Sequence, residues 1–265
     1  MVWLWVWLFG VVSGLDNGLA RTPPMGWNSW NHFACDVSED LIKQTADRFI
    51  SLGLSEAGYE FVNIDDCWQV SRDRHGFVVE DPDRFPSGMG KLSEYVHSKG
   101  LKFGLYSDAG VMTCQQRPGS LGFESQDALK YAEWKVDYLK YDNCFNNDIP
   151  ERTRYPPMAR ALNQTGHPIV FSMCEWVNDD PATWAAKYAN LWRTTGDIEA
   201  KWSSILSRAD QNSIWHKFAG PSAWNDPDML EVGNRGVSYI EARSHFAMWS
   251  IMKAPLRMGL IPAFV

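Results

Sequence analysis

Several features that mark large protein classes are scarce or missing in this 265-residue chain. It has only 6 His, and neither an H-E-x-x-H nor a C-x-x-C motif occurs, so the common zinc arrangements have no ligand set and no metal is expected. Lys and Arg number 25 against 32 Asp and Glu, a net charge of −7. The basic footprint that nucleic acid or an anionic membrane surface requires is therefore missing. No apolar run approaches the roughly 20 residues of a membrane-spanning helix, so no membrane insertion is expected. The longest run, residues 1–12 (MVWLWVWLFGVV), has the length of a signal-peptide core, although the first basic residue is Arg21. Residues 1–18 are accordingly expected to be a signal peptide, cut somewhere between Ser13 and Ala20, and residues 19–265 the mature domain. Linkers, charge blocks and low-complexity tracts are absent as well, which argues for one domain.

Hydrophobic residues make up 45% of the chain, and 14 Trp lead an aromatic content of 14%, enough for a large core and for aromatic surfaces inside a binding site. The 5 Cys (Cys35, Cys67, Cys114, Cys144 and Cys174) lie 30 or more residues apart. In an oxidising compartment four of them could pair, leaving one over, each bridge closing a loop whose constraint is worth about 3–4 kcal/mol. Spacing alone does not fix which four.

Along the chain one unit recurs: a short apolar run ending in polar or acidic residues, followed by a longer amphipathic stretch. This is the pattern of βα units. The expected strands are 24–30, 59–65, 101–107, 136–142, 168–174, 189–194, 220–225 and 254–259, and the expected helices are 38–53, 91–99, 125–134, 155–164, 183–187, 202–216 and 238–253. The first helix has Ser38 as N-cap, Leu41, Thr45, Phe49 and Leu52 on one face, and Gly53 as terminator. Runs such as Phe61-Val62-Asn63-Ile64 and Pro168-Ile169-Val170-Phe171 read as strands buried on both faces. Eight such strands predict a (β/α)8 TIM barrel. Asn163-Gln164-Thr165 is a glycosylation sequon, usable if the chain is secreted.

In such a barrel the polar residues at the C-terminal strand ends converge on one mouth. Here they are acidic: Asp65-Asp66, Asp108, Asp142, Glu175, Asp197, Asp226 and Asp228. Caps and ion pairs account for two or three of these, but not for all. Clustered carboxylates raise one another's pKa values and are costly to assemble, which points to a function. Carbohydrate chemistry fits: carboxylates accept hydrogen bonds from sugar hydroxyls, aromatic faces stack on the ring, and hydrolysis needs two carboxyl groups flanking the glycosidic oxygen.

Six ordered motifs carry a resemblance: Met25-Gly26-Trp27-Asn28-Ser29-Trp30, Asn63-Ile64-Asp65-Asp66-Cys67-Trp68, Gly104-Leu105-Tyr106-Ser107-Asp108, Leu139-Lys140-Tyr141-Asp142-Asn143-Cys144, Trp192-Arg193-Thr194-Thr195-Gly196-Asp197-Ile198 and Trp224-Asn225-Asp226-Pro227-Asp228-Met229-Leu230. Together they closely resemble the α-galactosidases (melibiases) of glycoside hydrolase family 27, the plant branch above all. The resemblance implies a retaining, exo-acting α-galactosidase without cofactor, acting on terminal α-D-galactosyl residues of galacto-oligosaccharides, galactomannans or galactolipids, and secreted or vacuolar. It implies Asp142 as nucleophile and Asp197 as acid/base, with the carboxyls about 5–5.5 Å apart. For the sugar it implies Asp65 and Asp66 at the 4- and 6-hydroxyls, Lys140 at the 3- and 4-hydroxyls, Arg193 with Asp228 at the 2- and 3-hydroxyls, Trp30 and Tyr106 as walls and Met229 at the border. Glu175 and Trp176 would sit where the family separates galactose from N-acetylgalactosamine, and their bulk favours a 2-hydroxyl. Lys140 and Arg193 would favour ionised Asp142. The resemblance further implies the pairs Cys35–Cys67 and Cys114–Cys144, with Cys174 free near the sugar. The six His fall outside the motifs and are expected to be structural or at the surface.

Family members continue past the eighth strand into a last helix and a C-terminal β-sandwich, whereas this sequence stops at Val265. The expectation is therefore a barrel whose last unit is incomplete, with no sandwich and with apolar surface uncovered beside the first and eighth strands. The alternatives are an α-N-acetylgalactosaminidase, a β-L-arabinopyranosidase, or an inactive product that binds galactose or misfolds.

Overall fold

The computed structural model describes residues 17–260, so most of the expected signal peptide, and the last five residues, lie outside the described residues. Eight parallel strands follow one another in chain order: β1 (Met25–Asn28), β2 (Phe61–Asn63), β5 (Lys102–Asp108), β6 (Tyr138–Asp142), β7 (Val170–Met173), β8 (Leu191–Arg193), β9 (Trp224–Asp226) and β10 (Leu256–Met258). β10 returns to lie beside β1. The ends of this order, β9 and β10, meet through a parallel bridge between Leu230 and Met258, where the Leu230 N–H donates to the Arg257 carbonyl at 2.8 Å. The sheet thus curls into a (β/α)8 barrel. Consecutive parallel strands need crossovers, and after the single turn α1 (Trp30–Phe33) the helices α2 (Glu39–Ser51), α3 (Met89–Ser98), α4 (Glu124–Glu133), α5 (Glu151–Gln164), α6 (Trp202–Ser213) and α7 (Tyr239–Met252) supply all but the one between β7 and β8.

Each expected strand appears, two to four residues shorter overall except for β5, which keeps its length one residue later, while β9 runs one residue past its expected end. The helix over 38–53 is α2, with the Ser38 hydroxyl accepting from the Leu41 N–H. Its core face differs from expectation: Ile42, Thr45, Ala46 and Phe49 are buried, while Leu52 is exposed. α5 starts a turn earlier than expected. Pro156 and Pro157 lie inside it rather than at its start, and Arg154 ties the first turn by donating to the Ile149 carbonyl. The helix over 183–187 is instead two 3-10 turns, Pro181–Thr183 and Ala185–Lys187. A short antiparallel hairpin, β3 (Gln69–Arg72) and β4 (Val78–Glu80), follows β2; nothing in the βα pattern announces it. Arg72 anchors it by a pair of bonds to the Asp127 carboxylate of α4, at 2.6 and 2.7 Å.

Parallel strands pack closely where glycine allows. A Cβ on Gly26 of β1 would lie 2.2 Å from the Phe61 carbonyl oxygen, which only glycine avoids. The main core lies between sheet and helices, built on Trp27, Phe49, Val62, Leu105, Leu139 and Phe171. A second cluster of Phe61, Tyr138, Val170, Leu191 and Trp224 fills the barrel interior below the mouth. The C-terminal strand ends therefore open on one cavity.

Candidate active site

β2, β6 and β8 deliver the charged side chains of that cavity. Beyond β2, Asp65 is buried and its Oδ2 accepts from Asn28 Nδ2 at 2.8 Å and from Lys140 Nζ of β6 at 2.9 Å. Burial would drive the Lys140 ammonium to lose its proton, but Asp65 and Asp142 outweigh it and hold its pKa above the ordinary value. Asp66 turns outward from Asp65: its carboxylate accepts from the backbone N–H groups of Cys67 and Gln115 at 2.7 and 3.0 Å. Burial pushes its pKa up to about 6 in spite of these bonds.

Asp142 closes β6 and is 7% exposed. Its Oδ1 accepts from the Trp176 indole Nε1–H at 2.8 Å and from the Asn143 N–H at 3.0 Å, and its Oδ2 accepts from the Tyr106 hydroxyl at 3.1 Å. Lys140 and Arg193 favour its ionised form by lowering its pKa, but burial is the larger effect and, with Asp65, moves it above the usual carboxylate range. Arg193, at the end of β8, is buried and places Nη2 3.1 Å from both Asp197 Oδ1 and Asp228 Oδ2. For Asp228, burial raises the pKa, but the Arg193 guanidinium and the Ile198 N–H prevail and hold it below the usual range. Asp197 is the opposite of Asp142 in environment: its side chain is 83% exposed, at the mouth. It is not an N-cap, since α6 begins at Trp202 behind Lys201.

These groups line one cavity of about 320 Å³, at the low end of the range for small-molecule sites. Its walls include Trp30, Tyr106, Trp176 and Met229, and six carboxylates (Asp65, Asp66, Asp142, Asp197, Asp226 and Asp228) face three cations, Lys140, Arg193 and Arg257. The sequence-predicted residues Trp30, Asp65, Asp66, Tyr106, Lys140, Asp142, Trp176, Arg193, Asp197, Asp228 and Met229 are all brought together here.

Glu175 is the exception. Cys174 and Trp176 point into the cavity, so the side chain between them points away, and Glu175 is buried behind the wall with neither carboxylate oxygen paired. Burial, with Glu151 nearby, pushes its pKa up to about 8. Asp108 also turns from the mouth: it accepts from the Gly110 and Cys144 N–H groups, and burial beside Asp142 pushes it up to about 8. Sequence reasoning passed over Asn28, Ser172 and Arg257, and it placed Asp226 at the mouth and Cys174 near the sugar without giving either a role. Asn28 stands inside a quoted motif, and Arg257 follows the last expected strand's start, so only their inward orientation was hidden.

The disulfides Cys35–Cys67 and Cys114–Cys144 are present, with Cα atoms 5.3 and 5.1 Å apart, and Cys174 is free and buried. Asp108 lies close to Cys114 and Cys144, but both sulfurs are bonded to each other and unavailable as metal ligands. None of the six His lines the cavity.

Residues 22–260 match the family model described as alpha galactosidase A. The chain belongs to the alpha-galactosidase (melibiase) family. Among the relatives of this family, alpha-galactosidase 2 of Arabidopsis thaliana is 57% identical over 92% of this chain and 62% of its own length. The alpha-galactosidase of Cyamopsis tetragonoloba is also 57% identical, over 92% of this chain and 60% of its own. The structure of alpha-galactosidase from Saccharomyces cerevisiae with raffinose superposes with a TM-score of 0.90 at 42% identity, covering 92% of this chain and 60% of that one. The chain thus spans about 60% of the length of the melibiase relatives it matches. Among the described residues no helix is long and apolar enough to cross a membrane.

Proposed function

We propose that the chain is the catalytic barrel, residues 19–265, of a retaining, exo-acting α-galactosidase, a glycoside hydrolase releasing terminal α-D-galactosyl residues from galacto-oligosaccharides, galactomannans or galactolipids. One observation carries this reading. A buried carboxylate, Asp142, sits at the floor of a cavity of monosaccharide scale, and an exposed one, Asp197, stands at its mouth. Asp142 attacks the anomeric carbon as the glycosidic bond breaks, and Asp197, facing the leaving group and water, protonates the departing oxygen and later takes a proton from the water that hydrolyses the covalent intermediate. Lys140 and Arg193 oppose the burial that would neutralise Asp142.

Asp65 and Asp66 receive the 4- and 6-hydroxyls, Lys140 the 3- and 4-hydroxyls, and Arg193 with Asp228 the 2- and 3-hydroxyls, while Trp30 and Tyr106 give apolar faces to the ring. Trp176, against Asp142, takes the space an acetamide on C2 would need, which favours galactose over N-acetylgalactosamine. Two disulfides fit passage through an oxidising compartment, in keeping with a signal peptide at 1–18 and a secreted or vacuolar destination. Asn163 is exposed at the end of α5 and open to glycosylation.

Hydrolysis of 4-nitrophenyl α-D-galactoside by the chain and by Asp142→Asn tests the reading. Turnover in the wild type, lost in the variant with folding and galactose binding kept, is expected. A folded wild type without turnover overturns the activity, and a variant at wild-type rate overturns the nucleophile. Rates on the α-N-acetylgalactosaminide and the β-L-arabinopyranoside measure specificity.

A further inference from the structure

The two oxygens of Asp142 are not equivalent. Oδ1 carries two N–H donors, one of them the fixed backbone N–H of the next residue. Oδ2 carries only the Tyr106 hydroxyl at 3.1 Å, and that hydroxyl has a second acceptor, Cys114 Sγ at 3.4 Å, to which its proton can turn. The lone pairs of Oδ1 are engaged, whereas those of Oδ2 can be freed without leaving a donor unsatisfied.

The indole that loads Oδ1 is held in place at some cost. Trp176 and Val177 both adopt left-handed backbone, with φ of 63° and 65°, a conformation unfavourable for a β-branched residue such as Val177. Such geometry persists where the surroundings over-determine it. Two bonds do so here: Asn143 Nδ2 donates to the Glu175 carbonyl at 3.2 Å, and the indole donates to Asp142 at 2.8 Å. Asn143 thereby fixes the loop that carries the indole while its own N–H fixes the same carboxylate oxygen.

We propose that Trp176 is a positioning residue for the reaction, its indole N–H acting with the Asn143 N–H to hold Oδ1 of Asp142 so that Oδ2 is the atom that attacks. This assignment rests on the glycosidase reading above. In the step, a lone pair of Oδ2 forms the bond to the anomeric carbon, the glycosidic bond gives its electron pair to the leaving oxygen, and that oxygen takes its proton from Asp197. Trp176 stays bonded to Oδ1 throughout and does not take the proton.

The test is Trp176→Phe, which keeps an aromatic wall and deletes the donor. The charged groups facing Asp142 remain: Lys140 and Arg193 as cations, Asp65 and Asp108 as acids, with Tyr106, Tyr155 and Cys174 protonated. Losing one charge-assisted hydrogen bond is expected to lower kcat for the aryl galactoside about ten- to a hundredfold, with KM nearly unchanged. The acidic limb of kcat/KM is expected to move to higher pH, because the ionised carboxylate loses a stabilising donor. A rise in KM alone, with the acidic limb unmoved, makes Trp176 only a wall of the sugar site and overturns the proposal.

A second readout does not depend on turnover. In protein labelled with 15N at the indoles, the Trp176 resonance, identified by its loss in Trp176→Phe or, if that chain does not fold, in Trp176→Tyr, is expected downfield in the wild type and shifted upfield in Asp142→Asn. An unchanged resonance overturns the proposal. Should the wild type fail to hydrolyse the galactoside, the glycosidase reading falls while this resonance still decides the contact.

Discussion

Lys140 is a cation placed where water barely reaches, its side chain 16% exposed and its partner Asp65 at 2%. A pair like this contributes little net stability relative to an apolar pair, because both ions are desolvated, yet removing one partner strands the other. Lys140→Met is therefore expected to destabilise the chain by about 3–5 kcal/mol in denaturant titration, with the Asp65 charge left to the Asn28 amide and the Asp66 N–H. It also removes the larger of the two cationic influences opposing the burial of Asp142, so turnover should fall with stability. A change below about 1 kcal/mol, the range of exposed pairs, would mean that Asp65 does not depend on this charge. The neighbouring Asp142 shows the same balance with the other outcome. There burial exceeds the help of its cations, and the carboxylate relies on hydrogen bonds for the rest.

At the scale of elements, the strand-end loops carry the chemistry and the disulfides hold the loops. Cys114–Cys144 joins the loop after β5 to the loop after β6, and both half-cystines line the cavity. The close approach between these loops is strict, since a Cβ on Gly110 would lie 1.9 Å from the Cys144 carbonyl oxygen. Closing a loop of 30 residues constrains the unfolded chain by about 3–4 kcal/mol, so the double variant Cys114→Ser/Cys144→Ser should lose about that much. It should also weaken galactose binding, because Gln115, whose N–H bonds Asp66, sits beside Cys114. Calorimetric melting with and without galactose checks both, and an unchanged melting temperature would place the loops' stability elsewhere. The sequence made the barrel legible because strands buried on both faces are continuous apolar runs and the acids stand at their ends. What it hid depends on direction rather than identity. The β3–β4 hairpin is short and largely polar, with no apolar alternation to announce it. The outward turn of Glu175, between two cavity-facing neighbours, and that of Asp108, drawn aside by the Gly110 and Cys144 N–H groups, are matters of direction that a motif does not record.

For the whole molecule, the buried acids set how stability depends on pH. Asp66 is raised to about 6, Asp108 and Glu175 to about 8, and Asp142 is raised as well, all with burial as the main cause. Each holds its proton in the folded chain over a range where the unfolded chain has released it. Stability from these groups is thus complete below the ordinary carboxylate pKa and is lost as pH rises through the folded values. His245 acts in the other direction: buried against Trp249 and accepting from the Glu231 N–H, it is lowered to about 4, so it adds stability as pH rises from about 4 to 6.5. Asp228, held low, withdraws stability only in stronger acid. Between about pH 6.5 and 8 the His245 effect is complete, while Asp108 and Glu175 are still losing their protons, so the melting temperature should fall across that interval. Glu175→Gln keeps the shape and removes the ionisation, and its melting curve should be flatter from pH 6.5 to 8 than that of the wild type. A wild-type melting temperature that rises steadily to pH 8 would contradict the assignment of these carboxyls as protonated in the fold. The expected profile belongs to a chain most stable in mildly acidic surroundings, where the buried Asp108 and Glu175 keep their protons.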